Sequence, residues 1–257
     1  MRAASTALLA ALGVTLGACA LAQGQKSYEP LPFQEGKDVV WVPTPQVLVD
    51  KLLDLAKVTK DDIVMDLGSG DGRTVITAAR RGARALGVEY NPDLVELSRR
   101  NAEKEGVGAR ATFVKADLFE TDFSQATVIT MFLLPEINLK LRPKILALKP
   151  GTRIASNTFT MNDWLPDETA KLTAAEGCDS AYCTALFWIV PARVAGTHKL
   201  AYGEIVLEQA FQMLSGTMTV SVRSFPVQGR VRGEEFTLRG DGREFHGRMN
   251  GRTLELK

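Results

Sequence analysis

Between residues 45 and 192, short continuous apolar runs alternate with stretches of helical periodicity. Val49, Leu52, Leu53 and Ala56 recur at the spacing of one helical face, which predicts a helix over 45–57 with Thr44 as N-cap and Pro45 at its first position. Strands are predicted at 63–67, 85–90, 111–116, 127–133 and 152–158. The intervening helices fall at 73–81, at 92–105 behind the N-cap Asn91, and at 139–148. Strands apolar along their whole length, separated by helices, make a parallel sheet covered on both faces, a doubly wound α/β domain. Two further strands, 170–175 and 184–190, are joined around Gly177 without a helix, so the last strand is predicted to run antiparallel.

The pattern changes after Pro191. Short alternating segments at 203–211, 216–223, 225–232, 235–239, 244–249 and 253–256 are separated by turns such as Gly240-Asp-Gly242 and Asn250-Gly251, which predicts a small antiparallel β unit over 196–257. Its arginines are expected on the solvated face. Ahead of the α/β domain, which is assigned to 26–192, residues 26–43 carry Pro30, Pro32, Gly36 and Pro43 and read as an extended lead-in.

Residues 1–25 follow neither pattern. Arg2 precedes an apolar run that ends in small residues, the composition of an export signal. Ala20-Leu-Ala22 fits cleavage before Gln23, Leu16-Gly-Ala-Cys19 fits a lipoprotein box with Cys19 lipidated, and an uncleaved anchor is a third reading. Each sends the body out of the cytoplasm, to a bacterial periplasm or envelope, and allows membrane attachment only through that N-terminal lipid or anchor. Cys178 and Cys183 are then the remaining thiols, and they are candidates for a disulfide or for two unpaired small apolar residues.

Composition removes several function classes. Lysine and arginine total 31 against 30 aspartates and glutamates, so no net field draws the chain to nucleic acid. The two histidines, His198 and His246, both lie in the C-terminal unit, which disfavours an imidazole base or a histidine-ligated metal in the α/β domain; no metal is expected.

The chemistry is concentrated where strands end. In Asp66-Leu-Gly68-Ser69-Gly70-Asp-Gly72-Arg73 the glycines let a ligand approach the backbone as strand turns to helix. A dinucleotide fingerprint would need glycine where Arg73 stands, which disfavours a nicotinamide oxidoreductase. Glu89, at the end of the second strand beside Tyr90, can accept hydrogen bonds from both hydroxyls of a ribose, and Asp117, beside Leu118, can accept one from an adenine amino group.

Together with Trp41-Val-Pro-Thr-Pro45, Gly87-Val-Glu-Tyr-Asn-Pro92, Asp117-Leu-Phe-Glu120, Phe132-Leu-Leu-Pro-Glu136 and Leu141-Arg-Pro-Lys144, this loop resembles the protein-lysine methyltransferases related to the enzyme that modifies the c-ring protein of ATP synthase. The likeness covers residues 38–165. It implies the seven-stranded class I methyltransferase (Rossmann-like) sheet, whose last strand is antiparallel, and S-adenosyl-L-methionine as cofactor, bound by Asp66, Gly68, Ser69, Gly70, Gly72, Arg73, Glu89, Tyr90, Asp117 and Leu118. It further implies a lysine-bearing protein partner, or a small molecule as alternative acceptor, met by Trp41, Thr44, Pro45, Pro135 and Asn138. Without a core histidine, Glu136 is the candidate to take the proton from the acceptor amine. Trp41 is weighed as a cover for a cationic group and as a core side chain, the latter preferred. The competing class is an exported binding protein on the same scaffold without turnover, because the cofactor is made in the cytoplasm.

Overall fold

The computed structural model describes residues 28–256, so the readings placed on residues 1–25, including Cys19 and Ala22, lie outside the described residues. The first helix, α1 (Gln46–Leu55), buries Leu48, Val49, Leu52 and Leu53, the predicted stripe. Strands and helices then alternate: β1 (Ile63–Leu67), α2 (Arg73–Arg80), β2 (Arg84–Glu89), α3 (Pro92–Lys104), β3 (Ala111–Lys115), β4 (Val128–Met131), α4 (Pro135–Leu146) and β5 (Arg153–Asn157). β6 (Glu168–Lys171) and β7 (Thr184–Ile189) complete a seven-stranded sheet in the order β3-β2-β1-β4-β5-β7-β6. β1 to β5 pair in parallel, whereas β7 runs antiparallel between β5 and β6. This is the class I methyltransferase arrangement.

Both faces of the sheet are covered, as continuous apolar strands require. On one side Leu48, Leu53, Val75, Ala78, Val95 and Phe113 form a core with α1, α2 and α3. On the other, Leu67, Ile129, Leu141, Ile145, Trp164 and Trp188 form a second core beneath α4.

Local boundaries differ from the sequence reading at two prolines and at one short turn. Pro45 is the residue before α1, and no side chain caps the helix. Thr44 does not serve as N-cap because its carbonyl accepts from the Arg73 guanidinium at 2.7 Å and its hydroxyl from Asn157 Nδ2 at 3.3 Å. Pro135 opens α4 four residues before the predicted start; a proline fits the first helical turn, whose N–H has no intrahelical partner. The stretch predicted as strand at 170–175 ends early in a 3₁₀ turn over Ala174–Glu176, held by a reciprocal capping box between Thr173 and Glu176.

After residue 195 the chain forms a seven-stranded meander of β8 (Gly196–Leu200), β9 (Gly203–Ala210), β10 (Met213–Val220), β11 (Arg223–Arg232), β12 (Glu235–Gly240), β13 (Arg243–Asn250) and β14 (Thr253–Leu256). Every pair is antiparallel. The sheet curls around Ile205, Leu207, Leu214, Met218, Val231, Phe236 and Leu238. Its outer face carries the arginines, several in ion pairs, such as Arg223–Asp241 at 2.5 Å and Arg239–Glu244 at 2.7 Å.

Candidate active site

The groups singled out for chemistry meet at one edge of the first sheet, where β1 to β5 deliver their C-terminal ends. There they line a cleft of about 430 Å³. β1 and β4 are neighbours whose connections leave in opposite directions, and doubly wound sheets bind ligands in the crevice above that reversal. Asp117 stands after β3, Glu89 ends β2, the glycine loop follows β1, Phe132 follows β4, Asn157 ends β5 and Phe159 follows it. The cleft therefore changes character along its length, acidic at the β2–β3 end and aromatic at the β4–β5 end.

Gly68 and Gly70 take φ of 80° and 54°, the left-handed region open to glycine. A Cβ at Gly70 would lie 2.6 Å from Nε1 of Trp41, so glycine is required for the lead-in to fold down on the loop. That lead-in is a turn in which Phe33 and Gln34 exchange backbone hydrogen bonds with Trp41, at 2.8 and 3.0 Å, and it roofs the cleft with Lys37 and Trp41. Trp41 is half-buried in the cleft wall, which corrects its preferred assignment to the core. The Arg73 guanidinium binds Asp71 at 2.5 Å as well as Thr44, so it braces the glycine loop against the lead-in.

The carboxylates have separate environments. Glu89 accepts from the backbone N–H of Gly70 and of Asn91, both at 2.9 Å, one on each oxygen. Each oxygen retains a lone pair for a hydroxyl in the cleft. Asp117 accepts from Phe119 N at 2.8 Å and pairs with Lys37, which lies 4.8 Å from the Tyr90 ring centroid. The hydrogen bond from Lys37 holds the Asp117 carboxyl below its usual range, and the same contact raises Lys37. Asp66 is buried with Thr130 donating to it at 2.6 Å. Burial pushes its carboxyl up to about 7, with Glu89 and Asp71 adding in the same direction against the Thr130 hydrogen bond.

A nucleoside-bearing sulfonium cofactor fits these residues. The acids line up from β3 to β1, the loop backbone is bare, and Ser69 Oγ is buried without a protein partner. Of the ten residues named for the cofactor, Gly72 alone does not line the cleft; a Cβ there would strike Phe113 at 2.8 Å and Ser98 at 2.9 Å, so its role is close packing of loop on sheet.

The acceptor assignments divide differently. Trp41 and Thr44 line the cleft, whereas Pro45, Pro135, Glu136 and Asn138 do not. Glu136 is exposed in the first turn of α4, so it is not placed to take a proton inside the cleft; starting the helix at Pro135 turns this side chain to solvent. Asn138 is fully buried and donates to the carbonyls of Phe159 and Thr160, each at 3.2 Å, which makes it a brace for the loop after β5. Phe159 and Tyr182 escaped sequence reasoning altogether. They come from separate segments that only the insertion of β7 beside β5 brings next to Phe132.

The region 66–168 matches the family described as the ANTKMT methyltransferase domain. A protein-lysine N-methyltransferase of Saccharolobus islandicus is 49% identical over 137 residues, 52% of this chain and 85% of that protein. The human lysine N-methyltransferase acting on the c-ring protein of ATP synthase is 34% identical over 143 residues, 55% of this chain but only 59% of the relative. A crystal structure named as an RNA methyltransferase from Salinibacter ruber, in complex with S-adenosyl-L-homocysteine, is 48% identical, with a TM-score of 0.55 over 60% of this chain and 96% of that one.

Proposed function

Because the chain belongs to the S-adenosylmethionine-dependent methyltransferase family that these protein-lysine N-methyltransferases represent, we propose that it methylates a lysine side chain of a protein partner outside the cytoplasm. The observation that carries the reading is the polarity of the cleft: acids and bare backbone for the cofactor from β3 to β1, then an aromatic end at β4 and β5 for the acceptor. Glu89 and Asp117 would hold the nucleoside, while Asp66, Ser69 and the Gly68–Gly70 backbone would hold the amino-acid end. When bound, the cofactor supplies a methyl group already activated on a sulfonium. The chain has to align an amine with it, and effective molarities of roughly 10⁵ to 10⁸ M indicate how far positioning alone can accelerate such a displacement.

A lysine reacts only as the free base. The cleft carboxylates (Glu35, Asp38, Asp66, Asp71, Glu89 and Asp117) belong to the lead-in and to the β3–β1 half, so the aromatic end presents no carboxylate among the described residues. The lysine arrives as its ammonium, and loss of water around the nitrogen as it passes beyond the rings lowers its pKa, so that the proton leaves to solvent before attack.

Export rests on residues 1–25, through lipidation at Cys19 or cleavage after Ala22. The disulfide between Cys178 and Cys183 supports it, since such bonds persist in oxidising compartments. Two measurements test the proposal. Calorimetric titration with S-adenosylmethionine should show binding that Asp66→Ala and Glu89→Ala abolish; intact binding in both variants overturns the site. Incubation with methyl-labelled cofactor and an envelope extract should label protein at lysine. Label in RNA or in a small molecule would replace the acceptor, and no label would favour a scaffold without turnover.

A further inference from the structure

Phe132, Phe159 and Tyr182 meet at the acceptor end of the cleft, with ring centroids 5.8 Å apart for the two phenylalanines, 5.3 Å for Phe132–Tyr182 and 5.8 Å for Phe159–Tyr182. All three are partly exposed to the cleft rather than sealed in a core. Aromatic clusters at a wet cleft are an expensive way to stabilise a fold, because ring faces left open bury nothing.

The surrounding backbone is committed to this arrangement. Thr158, a β-branched residue, is held at φ 59°, a conformation that costs such residues energy and persists only where neighbours enforce it. It is pinned by its N–H to Thr184 O at 2.7 Å, while Ser156 Oγ and the Asn138 amide both donate to the Phe159 carbonyl. Tyr182 sits in a loop closed by the Cys178–Cys183 disulfide, whose two half-cystines are buried in the core against α1. The bridge fixes Cys183, and with it the position from which Tyr182 projects.

We propose that Phe132, Phe159 and Tyr182 form the channel through which a cationic amine reaches the cleft, that Tyr182 sets its selectivity, and that the Cys178–Cys183 bridge positions Tyr182. The inference deepens the lysine reading and rests on it. Ring faces attract an alkylammonium by cation–π interaction, the more strongly the less water remains around it. Open rings also shed a lysine's methylenes from water without demanding a fixed hydrogen-bond partner. A flat nucleobase held between two rings would need a parallel-sided slot. Here the Tyr182 ring stands at 63° to Phe132 and 54° to Phe159, so no second ring lies parallel to it, and the two phenylalanines, inclined at 19° with centroids 5.8 Å apart, are too close to admit a base between them. The cleft also lacks a basic track for phosphates; its lysine and arginine, Lys37 and Arg73, are both paired with acids.

The test uses the full chain saturated with S-adenosylhomocysteine and reads binding by nuclear magnetic resonance titration. The probes are choline, a fixed cation with the headgroup of trimethylated lysine, its neutral isostere 3,3-dimethylbutan-1-ol, and uridine 5′-monophosphate. Wild type should bind choline at least threefold more tightly than the isostere. Tyr182→Ala should remove that preference, Tyr182→Phe should keep it, and Cys178→Ser with Cys183→Ser should weaken it, while affinity for S-adenosylhomocysteine stays within twofold throughout. No preference in wild type, an unchanged preference in Tyr182→Ala, or tighter binding of the nucleotide would overturn the channel. An unchanged double serine variant would overturn the role of the bridge. Activity on poly-L-lysine separates the two levels. A wild type that prefers choline but transfers no methyl to poly-L-lysine refutes the lysine reading and leaves the channel standing. Turnover with the same acceptor KM in wild type and Tyr182→Ala refutes the channel and leaves the reading standing.

Discussion

Asp66 carries the sharpest consequence at the level of a single residue. Its carboxyl is raised from 3.8 to about 7, chiefly by burial. For an acid shifted upward on folding, the stabilising form is the protonated one, so its contribution is complete below the unfolded value and is lost as pH rises through 7. The whole effect is bounded at about 4 kcal/mol. Asp66→Asn, which keeps an acceptor for Thr130, is therefore expected to raise the Tm of the cofactor-free protein at pH 8 by about 3 °C or more. That gain should vanish near pH 4, and a scan showing equal shifts at both pH values would refute the assignment. Binding a cation reverses the balance, since a sulfonium or ammonium favours the carboxylate. S-adenosylmethionine should accordingly bind with release of a proton near pH 6.5 and lose affinity as pH falls below 7, a dependence that Asp66→Asn flattens. Calorimetry in buffers of different ionisation enthalpy measures the proton directly. Glu136, in contrast, is exposed at the start of α4. Glu136→Gln should leave kcat/KM within twofold of wild type with an unchanged pH profile; a tenfold loss would restore the residue as a base.

Among the elements, the glycine loop and the lead-in act as a pair. Gly70→Ala places a methyl group 2.6 Å from the Trp41 indole and forces alanine to φ 54°. S-adenosylmethionine binding should weaken at least tenfold. In a Trp41→Ala background the same change should cost only the left-handed backbone, about 1–2 kcal/mol; equal losses in both backgrounds would show that the indole is not what the methyl meets. The loop itself was legible in the sequence because its signal is local: an apolar strand, then glycines, then a helix. So were Glu89 and Asp117, each close to its own strand end. The aromatic channel was not, since Phe132, Phe159 and Tyr182 are joined only by the order β4-β5-β7, a property of the sheet rather than of any segment. Misread boundaries have local causes as well. Pro135 serves equally as a stop and as a first helical residue, and the structure uses it as the latter. In the meander, the turns at Phe211 and Ser221 adopt φ of 54° and 55° without glycine, whereas Gly216 lies inside β10, where a Cβ would fall 2.0 Å from the carbonyl of Val206. Reading glycine as a turn therefore started β10 three residues late, and β8, which has little alternation, was missed.

At the scale of the whole molecule, the meander docks away from the cleft. None of the described residues from 196 onward lines it, and Gly233 packs against Gly151, just before β5, at the opposite edge of the sheet. The joint combines several kinds of contact: Ala192 N donates to Gly233 O at 2.7 Å, Gln212 to Leu165 O at 2.7 Å, and Phe211 stacks on Trp164 with centroids 6.0 Å apart. At its centre the side chain of Asp167 is almost completely buried, its carboxylate accepting from Ile189 N at 2.7 Å and pairing with Arg230 of β11. Stripping the partner from a buried carboxylate costs about 3–5 kcal/mol. Arg230 is half-exposed, so water recovers part of the loss and about 1–3 kcal/mol is expected. At about 2–4 °C per kcal/mol for a chain of this size, Arg230→Ala should lower Tm by about 2–12 °C. Because the cleft lies at the far edge, the same variant should keep its affinity for S-adenosylmethionine within twofold at 25 °C. The extent of the joint further predicts one calorimetric transition for both sheets, shifted as a unit by Arg230→Ala. Two separated transitions, or a variant that loses cofactor binding while still folded, would mean that the meander is either an independent module or a participant in the cleft; the contacts at Asp167, Trp164 and Gly233 argue for neither.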